Sequence, residues 1–172
     1  MKNIDFELGR LSGVLAAFAL INTKCNHGYT FEIVNLHTNF ESKNAFQHYF
    51  LEMYSDAKIT FEELSLTDLK VRDALKTWLF SYQKADDADE SLVGLGSSDC
   101  YLDDKYEAFV LNERDAQQSF LENFLVELKS LLVVQKVYQV FVKTNSWYEC
   151  AWDDFIFEGK DGSIFLHLGV SD

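Results

Sequence analysis

The sequence predicts an α+β fold, with N-terminal and central helices packed on a mainly antiparallel sheet that ends in a C-terminal β-meander. Three observations predict it. Residues 137–172 hold three β-branched and aromatic runs separated by turn residues, the pattern of consecutive antiparallel strands. Ahead of them, Phe120, Leu121, Phe124, Leu125, Leu128, Leu131 and Leu132 recur at spacings of three and four, the period of a helix with one buried face. Earlier still, helical periods dominate and strand-like runs are short, so the sheet is assembled late in the chain.

Taken in order, residues 5–21 read as a helix with Leu8, Leu11, Leu15 and Phe18 on one face. Gly9, Gly13 and Ala17 form a ridge of small residues beside them, which predicts close packing on a sheet or another helix. The apolar run inside this helix is too short to span a bilayer. Asp5 and Glu7 offset the basic residues ahead of it, and Lys24 stands where an export signal would be cleaved, so a cytoplasmic chain is expected. After the turn residues Asn26, His27 and Gly28, residues 29–36 are strand-like. Ser42 is the expected cap of a helix over 43–54, striped by Phe46, Tyr49, Phe50 and Met53. Residues 59–66 fit helix or strand equally. Thr67 is the expected cap of a helix running to about Gln83, with Val71, Ala74, Leu75, Trp78, Leu79 and Tyr82 on one face.

Residues 84–105 interrupt this pattern. Asp86, Asp87, Asp89, Glu90, Asp99, Asp103 and Asp104 alternate there with Gly and Ser, which predicts a long acidic loop, a binding element or a solvated connection. Residues 106–111 are a short strand candidate, and Asn112 is the expected cap of the leucine-rich helix. In the meander the strands are expected over 137–142, 148–158 and 163–170. Ile164, Leu166, Leu168 and Val170 form the expected core face of the last, with Phe165, His167 and Gly169 on the other. In the middle strand, Tyr148, Cys150 and Trp152 alternate in one phase and Phe155 and Phe157 in the other. The slip at Asp153 and Asp154 predicts a β-bulge that turns both carboxylates outward.

A length of 172 residues without a linker signal predicts one domain over 1–172, and 48% hydrophobic residues exclude a disordered chain. The net charge is −13, and its distribution is uneven. Residues 1–84 carry ten acidic and nine basic side chains, whereas residues 85–172 carry eighteen and six, a net of −12. Such a field repels nucleic acid and anionic membrane and steers a basic protein. Cys25, Cys100 and Cys150 are few, odd in number and widely spaced, as a reducing compartment permits.

No motif fixes a chemistry. Among Cys25, His27, His37, His48, Cys100, Cys150 and His167 only the first two are neighbours, which falls short of the paired spacing of a zinc site, so neither metal nor cofactor is expected. The glycines at 94 and 96 lack the lysine of a phosphate loop, and no nucleophile elbow is present, so no catalytic residue is assigned. What stands out is acid beside large aromatics, the composition of interface anchors. The candidate partner-binding residues are therefore Trp147, Tyr148, Glu149, Trp152, Asp153 and Asp154, together with Asp103 and Asp104.

Residues 147–172, WYECAWDDFIFEGKDGSIFLHLGVSD, resemble the closing strands of small acidic bacterial immunity proteins of polymorphic and contact-dependent toxin systems. The likeness lies in WDDF, the hairpin after it, and LHLG followed by SD, and it covers this last segment alone. It implies a cytoplasmic, non-enzymatic protein that neutralises a cognate basic toxin domain, such as a nuclease. Two other readings stay open: a small hydrolase with a Cys, His and acid site, and an acidic nucleic-acid mimic or structural subunit that presents residues 86–104. The oligomeric state is open as well.

Overall fold

The meander forms the centre of the sheet, and the earlier strands add to its edges. A computed structural model of the protein describes residues 4–22, 28–36, 41–80, 114–160 and 162–171. Its elements are α1 (Ile4–Asn22), β1 (Gly28–Asn35), α2 (Ser42–Met53), β2 (Lys58–Leu64), α3 (Lys70–Phe80), α4 (Arg114–Leu132), β3 (Val134–Lys143), β4 (Ala151–Gly159) and β5 (Gly162–Ser171). All strand pairs are antiparallel, in the order β1-β5-β4-β3-β2. This is the α+β architecture that the periodicities predict.

One face of the sheet is closed by three helices. Leu8, Leu11, Leu15 and Phe18 of α1, Val71, Leu75, Trp78 and Leu79 of α3, and Leu121, Phe124, Leu128 and Leu132 of α4 converge on the sheet. They meet Phe31, Ile33, Val137, Phe155, Phe157, Ile164, Leu166 and Leu168. Each such side chain contributes about 1.5–3 kcal/mol through its burial. Arg10 of α1 ties this layer together at the surface by pairing with Glu127 of α4.

The other face is covered in part by α2, whose Ala45, Phe46 and Phe50 pack on Tyr138, Val140, Val142, Ile156 and Phe165, and in part by buried polar side chains. The sheet is thus covered on both sides, and this corrects the expectation that only one face of β5 is core: Phe165 and His167 are buried as well.

Several local expectations shift. Residues 59–66 resolve as the edge strand β2, paired with β3. Ser42 is the first residue of α2 and not its cap; its hydroxyl donates to the Glu158 carboxylate, and Met53 is exposed. At α3 the capping acceptor is Asp68, whose Oδ1 takes the Lys70 N–H at 2.8 Å, and not Thr67. The ridge of Gly9, Gly13 and Ala17 faces outward: among the described residues nothing lies within 4 Å of a Cβ placed on either glycine. The apolar stripe beside the ridge packs α1 instead. The predicted loop over 84–105, the strand over 106–111 and the cap at Asn112 lie outside the described residues.

Candidate functional site

The loop end of the β3–β4 hairpin gathers Trp147, Tyr148, Glu149, Trp152, Asp153 and Asp154, and residues 144–150 form the connection between the two strands. This loop is fixed at three places. Asp56, just before β2, accepts from Thr144 Oγ1 and from the Asn145 N–H, both at 2.7 Å. These two bonds hold its carboxyl below the ordinary range. At the far end the Cys150 N–H donates to the Val170 carbonyl at 2.9 Å. Between them Tyr148 and Glu149 turn inward, which leaves Trp147 at the surface, 65% exposed.

What they turn toward is a buried polar cluster built on the β4–β5 hairpin. Pairing counts back from the turn between Gly159 and Gly162, whose φ of +143° glycine alone takes without strain. That register puts Asp154 opposite His167 and Trp152 opposite Gly169. His167 Nδ1 donates to Asp154 Oδ1 at 2.7 Å, and the Tyr148 hydroxyl donates to Asp154 Oδ2 at 2.9 Å. On the other edge of the imidazole, Nε2 lies 3.6 Å from Glu149 Oε1. Gly169 makes that approach possible, because a Cβ there would stand 2.6 Å from His167 Nε2 and 3.2 Å from Glu149 Cδ. The Tyr148 ring is held edge-on by Phe50, Tyr54 and Trp152, with centroids 5.1, 5.3 and 5.2 Å away.

The electrostatics follow from this burial. Burial alone lowers the His167 imidazole, but the carboxylates of Asp154 and Glu149 more than reverse this and raise it to about 9. Burial raises the Asp154 carboxyl, and the hydrogen bonds from His167 and Tyr148 oppose the rise without cancelling it. The Tyr148 phenol is pushed up by burial and then by Asp154. The pair therefore holds its protons more tightly than either group does in water. The cluster is a scaffold: each imidazole nitrogen faces a carboxylate, so neither is placed to take a proton from a substrate. Asp154 and Glu149 sit at opposite ring edges and do not converge on a cation. Among the described residues no group of three potential metal ligands gathers.

These positions correct the predicted bulge. β4 keeps an unbroken register with β5 from Ala151 to Gly159, and the ladder irregularity with β3 falls between Val134 and Lys136, at the opposite end. Trp152, Asp154 and Ile156 share one face of β4, and Asp153, Phe155 and Phe157 share the other. Asp154 is 0% exposed and contributes nothing to an outward acidic pair. Asp153 is half-buried, and its Oδ2 accepts from Trp78 Nε1 of α3 at 2.8 Å. Glu149 is turned in against His167, Trp152 and Tyr148 are half-buried, and Trp147 is exposed. Asp103 and Asp104 lie outside the described residues. His167 is the member of the cluster absent from the candidate residues of the sequence, although the register counted from the turn pairs it with Asp154.

Beside the cluster the two halves of the sheet part. β3 and β4 pair as far as Val140 opposite Asp154 and no further, while β3 stays paired with β2 and β4 with β5. The gap is a cleft of about 220 Å³ lined by Gln139, Val140, Phe141 and Val142 from β3 and by Trp152, Asp153 and Asp154 from β4. Consecutive residues of both strands line it, so it cuts into the plane of the sheet. Among the described residues no helix is long and apolar enough to cross a membrane. Comparison with protein-family models, with curated proteins and with solved structures finds no match to this chain.

Proposed function

We propose that the protein is an immunity-type inhibitor, a non-enzymatic cytoplasmic protein that binds and neutralises a basic toxin domain. The observation that carries this reading is Trp147, largely exposed at the apex of a loop that is hydrogen-bonded to Asp56 on one side and to the buried cluster on the other. A loop already held in place loses little backbone freedom on binding, and tryptophan is among the residue types most enriched among interface anchors. Charge supports it from a second direction. Residues 85–113 alone carry nine acidic side chains and one basic one, so most of the long-range attraction resides there, while both oxygens of Asp154 are engaged within the fold. Attraction of this kind raises the association rate and selects a basic partner, and the aromatic anchor slows dissociation. The hydrolase reading draws no support from His167, whose two nitrogens are occupied by acids.

The test is titration of the toxin domain encoded beside this gene against the wild type and Trp147→Ala. The variant is expected to bind about 30-fold more weakly, mostly through faster dissociation. The wild-type association rate is expected to fall steeply with added salt. An affinity that ignores the substitution would remove Trp147 from the interface, and absence of binding by the wild type would end the inhibitor reading.

A further inference from the structure

The cleft between β3 and β4 has a composition that the buried cluster does not explain. On the three-helix side of the sheet its wall is Gln139, Phe141 and Asp153, and Phe141 is 44% exposed although it stays paired with Thr60 of β2. Asp153 is anchored through one oxygen only: Oδ2 takes the indole N–H of the buried Trp78, and Oδ1 has no hydrogen-bond partner among the described residues. The carboxylate is thereby fixed in direction with an acceptor to spare, which is how a preorganised site holds a cation. Trp152 forms the wall on the opposite side, half-buried and supported edge-on by Tyr148. Because the strands separate beyond Val140 and Asp154, backbone groups of Phe141 to Lys143 and of Ala151 to Asp153 lack ladder partners across the gap.

We propose that this cleft is an arginine pocket, receiving the guanidinium of one arginine from the basic partner against the Asp153 carboxylate, with Phe141 and Trp152 as its aromatic walls. This rests on the inhibitor reading for the identity of the partner. Size and shape select the ligand class. At about 220 Å³ the cleft is smaller than the ~300–1,000 Å³ of small-molecule sites, and it suits a single side chain. A slot between two strands fits a planar group better than a tetrahedral ammonium. The guanidinium brings five donors in one plane to the Asp153 oxygen, the Gln139 amide oxygen and strand carbonyls, and its flat face packs on aromatic rings. Lys143, one residue beyond the lining on β3, opposes any cation, so a lone arginine binds weakly and the pocket acts with the rest of an interface.

The experiment uses the whole protein and needs no toxin. An acetylated, amidated Gly-Arg-Gly peptide is titrated against 15N-labelled protein, alongside its lysine and citrulline counterparts. The arginine peptide is expected to shift the Trp152 indole and Gln139 amide signals, with the lysine and citrulline peptides at least about tenfold weaker. Asp153→Asn keeps an acceptor for Trp78 and removes the charge; it is expected to weaken arginine binding about tenfold with the remaining spectrum unchanged. Phe141→Ala, at an exposed position, is a second variant that spares the fold and is expected to weaken it about threefold. Equal shifts from citrulline, indifference to both substitutions, or shifts confined to other residues would overturn the pocket. A toxin that binds Asp153→Asn as tightly as wild type would also overturn it and leave the inhibitor reading intact. Arginine-peptide binding in a protein that captures no toxin would have the opposite consequence.

Discussion

On one side of the sheet three helices bury leucine, phenylalanine and valine against one another, whereas on the other α2 covers only part and His167, Asp154, Tyr148 and Glu149 fill the rest. The first side is held by area, a non-directional term that does not depend on protonation. The second is held by a few directed bonds whose strength depends on which groups carry charge. The function proposed for the chain sits beside the second side, since the bonds that stabilise the cluster also fix the loop bearing Trp147. Stability and presentation of the binding loop are coupled there and uncoupled on the helical side.

Removing one partner of the buried pair is the most direct way to break the comparison. Asp154→Ala leaves an imidazolium in a buried setting without its main counter-charge, and it is expected to cost about 4 kcal/mol in urea unfolding. It also lowers the His167 pKa, which NMR titration reads. Leu128→Ala, on the helical side, creates a cavity of similar consequence, about 3 kcal/mol, with no effect on any titration. The two variants separate by pH dependence even where they match in magnitude.

That dependence has a definite sign. His167 titrates near 6.5 in an unfolded chain and at about 9 in the fold, so the folded state binds its proton more tightly. The stabilisation is fully present below about pH 6.5 and is lost as pH rises through 9, on the order of 3 kcal/mol in all. Asp154, also raised, acts in the same direction. Urea midpoints at about pH 6 and about pH 9.5 should fall accordingly in wild type and in Leu128→Ala, and stay nearly level in Asp154→Ala. A wild-type midpoint that rises with pH would contradict a protonated cluster. Smaller again, Gly169→Ala puts a methyl group where the imidazole meets Glu149 and is expected to cost about 2 kcal/mol by overpacking, a steric cost present at either pH.

The same contrast separates what the sequence reveals from what it conceals. The helical side was legible because its residues obey one period: Leu121, Phe124, Leu128 and Leu132 are buried as their spacing requires, and β5 alternates as a strand should. The other side hid its core behind polar residues. An aspartate in a strand predicts an outward carboxylate, which turns a regular strand into an apparent slip, although Trp152, Asp154 and Ile156 are in phase. The signal that would have corrected this was the hairpin turn, since counting from Gly159 and Gly162 pairs an aspartate with a histidine, and a paired ion can be buried where a lone one cannot. The cleft was not legible at all, because nothing local in Val140 or Asp154 announces where a ladder ends.

The smallest effect sharpens the comparison on the helical side, where the sequence suggested too much packing. Gly9 and Gly13 read as a ridge for close helix contact, yet a Cβ at either would meet nothing within 4 Å among the described residues. If α1 is held only by its inner stripe, then Gly13→Ala adds no clash and removes a flexible residue from a helix interior. The gain is about 1 kcal/mol, seen as a higher urea midpoint with an unchanged slope. The increment should be the same at about pH 6 and about pH 9.5, because Gly13 lies on the opposite side of the sheet from the cluster and carries no titratable group. A loss of stability would mean that the outer ridge of α1 is covered in solution, and helix propensity would then have been overridden by a contact that the inner stripe does not account for.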